Sequence, residues 1–179
     1  MRRVSAALFA LLLSAATSST LSAQQSVYML VDSIRGDQLA PHDREFKLNS
    51  FSSALTNSAT TTTTAGTDRA TMGKVNASPV KVSMRFHAAS NASFSRSVAA
   101  GTRMPSIEIR LYNASNRMFY KTVFENVYFT NVATEGADEA LQQIEFVYSK
   151  VKWFAPPDPA GLNAPVQAGC WDLALAARC

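Results

Sequence analysis

Cysteine and histidine are scarce in this sequence, with two of each among 179 residues. A zinc cluster or a scaffold of several disulfides needs more of these residues, so both classes are excluded. The chain also lacks a glycine-rich phosphate-binding loop and a nucleophile elbow. His42, in a turn, and His87, at the end of a strand, are expected to lie at the surface. We therefore predict no catalytic residue, no metal site and no cofactor, and we do not expect an enzyme.

An excess of charge of one sign is also missing. The chain has 17 Lys and Arg residues against 13 Asp and Glu residues. Arg2 and Arg3 lie in a segment predicted to be removed, and without them the balance is 15 against 13, a net charge of +2. No run is rich in Lys and Arg, so nucleic-acid binding is not predicted. A hydrophobic fraction of 47% excludes disorder throughout and is sufficient for the core of one domain.

The uncharged apolar run at residues 4–13 is too short to span a membrane as a helix. It follows a positive start and precedes a small, polar stretch, a layout typical of a secretory signal peptide. We predict cleavage between Ala23 and Gln24, with Ser18 as the alternative because Leu21 is larger than ideal. A buried N-terminal helix is the other interpretation, although no polar face interrupts the run. The mature protein is expected to be exported, periplasmic or secreted, with no stable membrane span after cleavage.

The segment 24–154 is rich in alternating apolar and polar residues, the pattern of half-buried strands. We predict six strands, at residues 27–31, 46–55, 80–86, 107–111, 119–132 and 141–154. The alternation slips at Ser50 and Phe51, which indicates a bulge. The last two strands are apolar on both faces and need a cover on each, from the helix or from a neighbouring subunit.

A single short helix is predicted at residues 91–100, capped by Asn91, with Phe94 and Val98 on one face and Gly101 at its end. The predicted fold class is mainly β, a small antiparallel β-barrel or sandwich of about six strands with this helix.

Two segments carry no clear core pattern. Residues 57–71 include Thr60, Thr64 and Gly66 but few large side chains, and we expect a long mobile loop there. Residues 155–179 form a Pro- and Ala-rich tail with two cysteines. The predicted domains are therefore a signal peptide at 1–23, a barrel domain at 24–154 and a tail at 155–179.

The two cysteines, Cys170 and Cys179, have two alternative fates. Export favours a disulfide, whereas the Leu and Ala residues between them favour a short helix at 171–178 with free thiols. Nine helical steps would separate the ends by about 13 Å, and a disulfide needs Cα atoms closer than about 7 Å. The bonded form must therefore be a hairpin or a bent loop. We favour the bond within one chain, with an intermolecular bridge as the other oxidised form.

Five segments in order carry a resemblance to a known family. They are the strand and turn at 28–37 with Asp-Ser-Ile-Arg-Gly, Ser-Phe-Ser at 50–52, the helix exit at 101–105, the strand at 146–153, and Gly-Cys-Trp-Asp-Leu at 169–173. This series resembles the haemolysin-coregulated protein (Hcp) family, the tube subunits of type VI secretion systems. The family patterns are Asp-Gly-Ile-x-Gly in the turn and Gly-Trp-Asp-Leu in the tail, where Cys170 is an insertion here. The resemblance covers residues 27–173.

The resemblance implies a β-barrel with one helix that forms a homo-oligomer, a hexameric ring about a pore. In the family, rings stack into a tube through the long loop after the second strand, and the pore can carry small effectors. The matching loop here is 57–74, with Thr60, Thr64, Gly66 and Lys74 as its stacking residues. The implied partners are further copies of the chain and components or effectors of the secretion apparatus.

The predicted signal peptide is a departure, because family tube subunits assemble in the cytoplasm and need none. The favoured interpretation is an Hcp-like ring-forming structural component or secreted effector of type VI secretion. The alternative is an exported Hcp-fold protein with an unrelated binding or cell-envelope role.

Overall fold

The computed structural model describes residues 25–64, 67–136, 140–157 and 163–179. The predicted signal peptide and the cleavage position between Ala23 and Gln24 lie outside these residues. No helix in the described ranges is long and apolar enough to cross a membrane.

The described residues form ten strands and one helix. In chain order these are β1 (Ser26–Val31), β2 (Glu45–Ser52), β3 (Leu55–Thr64), β4 (Thr67–Ala77), β5 (Val80–Arg85), α1 (Ala88–Ala100), β6 (Arg103–Tyr112), β7 (Met118–Glu135), β8 (Leu141–Val147), β9 (Lys150–Ala155) and β10 (Val166–Asp172). Six strands close an antiparallel barrel in the order β7-β6-β1-β2-β5-β8, with β8 pairing back to β7. The predicted fold class, a mainly β barrel with one helix, is confirmed.

The barrel interior is filled by the residues that alternate along its strands. Val80, Val82 and Met84 of β5 are buried, and so are Ile107 and Ile109 of β6. Because successive side chains of a strand point to opposite faces, this period of two directs one set of side chains into the barrel. The predicted bulge lies close to its expected position, since the β2–β5 register shifts between Leu48 and Ser50.

Helix α1 begins earlier than predicted. His87, with extended backbone, is the N-cap, and the Asn91 N–H donates to the His87 carbonyl at 2.9 Å, so Asn91 lies inside the helix and is not its cap. The end is as predicted, because Gly101 adopts a left-handed conformation with φ of 59° and its N–H bonds to carbonyls of the last turn. Phe94 is fully buried between Phe46 and Phe129, with ring centroids 5.5 and 5.1 Å away. The helix is therefore packed against the barrel core.

The prediction of one strand at 141–154 is wrong, because β8 ends at Val147 and β9 begins at Lys150. The long strand β7 runs past the break: its residues 121–125 pair with β9, and its residues 128–135 pair with β8. Opposite the break, Asn126 has a positive φ of 55°, and its side-chain amide donates to Ser149 at 2.8 Å. The strand breaks where its neighbour on the side away from β7 changes. On that side β8 pairs with β5, whereas β9 pairs with β10.

The prediction of a mobile loop at 57–71 is also wrong, because β3 and β4 form an antiparallel hairpin over this stretch. Threonine is β-branched and fits an extended backbone, so a Thr-rich segment can form strands without supplying core side chains. We call this hairpin, Leu55–Thr64 with Thr67–Ala77, the arm.

The predicted tail contributes a strand that sequence analysis missed. β10 pairs antiparallel with β9, and Trp171 packs partly buried against the core. The eight-stranded sheet therefore extends beyond the closed barrel, through β9 to β10.

Candidate functional site

The arm continues two neighbouring barrel strands. Ser52 of β2 pairs with Lys81 of β5, and a few residues on Leu55 pairs with Ala77 as the first pair of the arm. The Ser78 N–H donates to the Ala54 carbonyl at 3.0 Å and links the two ladders. A strand of ten residues spans about 30 Å at roughly 3.3 Å per residue. The sequence thus places a long two-stranded element between β2 and β5.

A glycine is required within the arm. The register shifts between Asn57 and Ala59, and Gly73 lies opposite this irregularity. A Cβ atom at Gly73 would lie 2.3 Å from the Ser58 carbonyl oxygen, far inside contact distance. Any larger residue would push the two strands apart at this point.

The predicted stacking residues are distributed along the arm. Thr60 pairs with Thr71, and Thr64 pairs with Thr67 at the end of the ladder. Gly66 lies outside the described residues. Lys74 is exposed on β4 near the base of the arm, where it lines a surface cavity of about 220 Å³ together with other residues of the arm and of the β8–β10 region. That cavity is lined by Lys74, Val75, Asn76, Ala77, Ser78, Val147, Tyr148 and Leu173.

A buried polar cluster lies on the outer face of the barrel, and sequence analysis missed it. Glu45 is only 3% exposed, and it accepts a hydrogen bond from Arg110 at 2.6 Å and contacts His42 Nδ1 at 2.6 Å. Arg110 is also paired with Glu108 at 2.5 Å. Although burial opposes it, hydrogen bonding and the charges of Glu108 and Glu45 raise the pKa of Arg110 above its ordinary value.

His42 is not at the surface as predicted, since it is 8% exposed. Its ring stacks on Tyr28 with centroids 4.0 Å apart, and Tyr112 packs edge-on at 4.6 Å. His42 Nε2 contacts the Asn116 side-chain oxygen at 2.6 Å. Burial, and then the charge of Glu45, raise the pKa of Tyr112.

The cluster joins segments that are distant in sequence. Both ring nitrogens of His42 are engaged, one by Glu45 and the other by Asn116. The cluster therefore ties the loop before β2 to the turn between β6 and β7.

Among the described residues, no group of three or more His, Cys, Asp or Glu side chains is arranged to hold a metal ion.

The two cysteines are brought together, and the helix with free thiols is the wrong alternative. Cys170 and Cys179 form a disulfide with Cα atoms 5.3 Å apart. Residues 173–176 make a turn, and Asp172 pairs antiparallel with Ala177. We call residues 170–179 the cystine hairpin.

These features define a class: a closed six-stranded antiparallel barrel with one packed helix and a long arm between its second and third barrel strands in chain order. The family model described as "Type VI secretion system effector, Hcp" matches residues 28–154. The chain belongs to the Hcp family. No sequence among the curated proteins matches it.

Solved structures show the same fold at low sequence identity. The crystal structure of Hcp1 from Salmonella typhimurium is 15% identical with a TM-score of 0.70, covering 87% of this chain and 99% of that one. A type six secretion system protein is 19% identical with a TM-score of 0.72, covering 87% and 100%. A chain of the six-fold symmetrised baseplate of the anti-feeding prophage is 14% identical with a TM-score of 0.53, covering 78% and 97%.

Proposed function

We propose that this protein is a ring-forming structural component or secreted effector of a type VI secretion system. The observation that carries the proposal is the family match over residues 28–154, on a barrel that retains the helix and the arm in family order. The function is one of assembly, made by surfaces and not by a reaction centre.

An apolar pair on the barrel surface supports association between copies. Tyr128 of β7 and Val147 of β8 are direct cross-strand partners, and they are 42% and 38% exposed. Adjacent exposed apolar side chains favour contact with another protein surface. The six-fold symmetry of the baseplate relative supports six copies, and we propose a hexameric ring.

We propose that the arm makes the contact between stacked rings, with Thr60, Thr64, Gly66 and Lys74 as its contact residues. Its reach of about 30 Å exceeds what a tight turn between β2 and β5 would need. Because a two-stranded hairpin is marginally stable alone, contact with a neighbouring ring would stabilise it.

We further propose export through the predicted signal peptide, with Gln24 as the first mature residue and a periplasmic or secreted location. The disulfide between Cys170 and Cys179 supports a compartment that permits oxidation. Cell fractionation with sequencing of the mature N-terminus tests this. Full-length protein confined to the cytoplasm would contradict export, and a periplasmic form separate from the secretion apparatus would favour an envelope role.

Light scattering on the chain from Gln24 tests the ring. The expected particle has six times the mass of one chain, and Val147→Lys is expected to reduce it to smaller species by burying a charge at the contact. Leu39→Lys is the matched control, because Leu39 is an exposed apolar residue in the loop between β1 and β2 and not on β7 or β8. A monomer of the unsubstituted chain at micromolar concentration would contradict the ring.

A further inference from the structure

Strand β10 lies at the edge of the eight-stranded sheet. It pairs with β9 on one side, and in the described ranges no named strand pairs with its other side. An open edge presents unpaired backbone N–H and C=O groups that can accept a further strand. Residues 173–179 turn back along this edge, where Asp172 and Ala177 exchange two backbone hydrogen bonds of 2.8 and 3.2 Å.

The disulfide belongs to the same strand pair. Moving two residues along each strand from the Asp172–Ala177 pair places Cys170 opposite Cys179. Their Cα atoms are 5.3 Å apart, close to the spacing of about 5.5 Å for a hydrogen-bonded antiparallel pair. The bond is thus a cross-strand link at the outer edge of residues 170–172, the last three of β10.

Few contacts besides the disulfide hold residues 173–179 against β10. Residues 174–179 are exposed, and Leu175 has 76% of its surface in contact with solvent. The turn contains Ala176 at a φ of 51°, a left-handed conformation that an L-residue with a Cβ adopts at a cost. Besides the Asp172–Ala177 pair, the Asp172 carboxylate accepts N–H bonds from Ala174 and Leu175 at 3.0 and 3.1 Å.

Strand β10 itself is held independently of the disulfide. It forms a ladder with β9 from Val166 to Asp172, and the Leu173 N–H donates to the Ser149 carbonyl at 2.8 Å. Trp171 packs against the barrel core. Loss of the disulfide therefore leaves β10 in the sheet and affects the segment that follows it.

We propose that the Cys170–Cys179 disulfide is a redox latch: when it is oxidised, residues 174–179 cover the outer edge of β10 beside residues 170–172, and when it is reduced, they leave and this part of the edge is open. This inference does not depend on the proposed secretion role, because it rests on strand register and on the weakness of the other contacts.

The chemistry requires a dithiol reductant. Cys179 is exposed whereas Cys170 is 7% exposed, so a thiolate of the reductant attacks Sγ of Cys179, and Cys170 leaves as a thiolate that takes up a proton. The second thiol of the reductant then attacks its own sulfur in the mixed disulfide and releases Cys179 as a thiol. Two electrons and two protons pass to the cysteines, and the reductant becomes a disulfide. A surface cavity lined by Gln167, Arg178 and both cysteines gives the reagent access, with the Arg178 side chain as a nearby cation.

Amide hydrogen exchange on the chain from Gln24, with and without dithiothreitol, tests the latch. We expect reduction to speed exchange at Asp172 and Ala177 by at least about tenfold, because their mutual bonds then open freely. The Leu173 amide, bonded to Ser149, is expected to change by less than about threefold. Mass measurement after thiol alkylation confirms the redox state of each sample.

The variant Cys179→Ser is the matched control, since it cannot form the bond. It is expected to show the reduced pattern both with and without dithiothreitol. Unchanged protection of Ala177 after complete reduction would overturn the proposal, as would equal loss of protection at Leu173, which would make the bond a brace for β10 itself. A disulfide that dithiothreitol fails to reduce while the protein remains folded would overturn it as well.

Discussion

In the barrel, large side chains from distant strands meet in one core, whereas the arm and the cystine hairpin are held mainly by backbone pairing between neighbouring segments. Phe46, Phe94 and Phe129 come from three elements and are fully or almost fully buried. The arm depends on a register that needs Gly73, and the cystine hairpin depends on a covalent link. Global stability therefore lies in the barrel, and we expect the two hairpins to open locally without unfolding it.

The largest effect on global stability is expected from a substitution in the barrel core. Phe94→Ala removes a fully buried ring between two others, and we expect a loss of about 3–5 kcal/mol in the free energy of unfolding. Urea unfolding followed by tryptophan fluorescence measures it. Leu39→Ala, at an exposed loop position, should change the same quantity by less than about 0.5 kcal/mol. A loss below about 1 kcal/mol for Phe94→Ala would show that helix α1 contributes little to the core.

The next largest effect on the free energy of unfolding is expected in the buried polar cluster. Glu45→Gln removes a charge that bonds Arg110 and His42, and we expect a loss of about 2–3 kcal/mol because both partners remain buried or half-buried. Arg110 keeps its bond to Glu108, which limits the effect. Glu145→Gln is the control, because its partner Lys81 is largely exposed and such pairs contribute about 0–1 kcal/mol. Equal losses for the two variants would contradict the role given to the cluster.

Gly73→Ala tests whether the arm unfolds independently of the barrel. The added Cβ would collide with the Ser58 carbonyl, so limited proteolysis is expected to cut within the arm much faster than in the unsubstituted chain. The free energy of global unfolding should change by less than about 0.5 kcal/mol, because the arm can open locally first.

Gly101→Ala is the matched glycine control for the arm. At Gly101 a Cβ meets no atom within 4 Å, but φ is 59°, so strain of about 1 kcal/mol should appear in global unfolding and not in proteolysis of the arm. A global loss of several kcal/mol for Gly73→Ala would mean that arm and barrel unfold together.

Sequence analysis was most successful where one local signal determined the outcome. The period of two at Val80, Val82 and Met84 predicted a buried strand face, and Gly101 predicted the end of the helix. The arm was missed because the loop prediction relied on the scarcity of large side chains at 57–71, whereas β-branched threonines favour an extended backbone without supplying core side chains.

The remaining misses depend on contacts that local sequence does not encode. Glu45 and Arg110 are 65 residues apart, and only the pairing of β1 with both β2 and β6 brings them together. The strand break at Ser149 follows from the change of neighbour between β5 and β10. Sequence periodicity describes one strand at a time and contains no information about which strand lies beside it.

The smallest expected effect is a pH dependence confined to the cystine hairpin. The Leu175 N–H bond, together with the Ala174 N–H and the charge of Lys150, lowers the pKa of the Asp172 carboxyl below its ordinary value. Because the folded pKa is lowered, the carboxylate stabilises the turn above the unfolded pKa, and this contribution disappears as the pH falls through the folded pKa. Amide exchange at Ala174 and Leu175, corrected for the intrinsic pH dependence, is therefore expected to accelerate below about pH 4. Asp172→Asn keeps an acceptor oxygen but has no titrating group, so its corrected exchange should be independent of pH over the same range. Exchange that accelerates equally in both proteins would assign the acid sensitivity to another group, and exchange that stays constant in the unsubstituted chain would show that the carboxylate does not hold the turn.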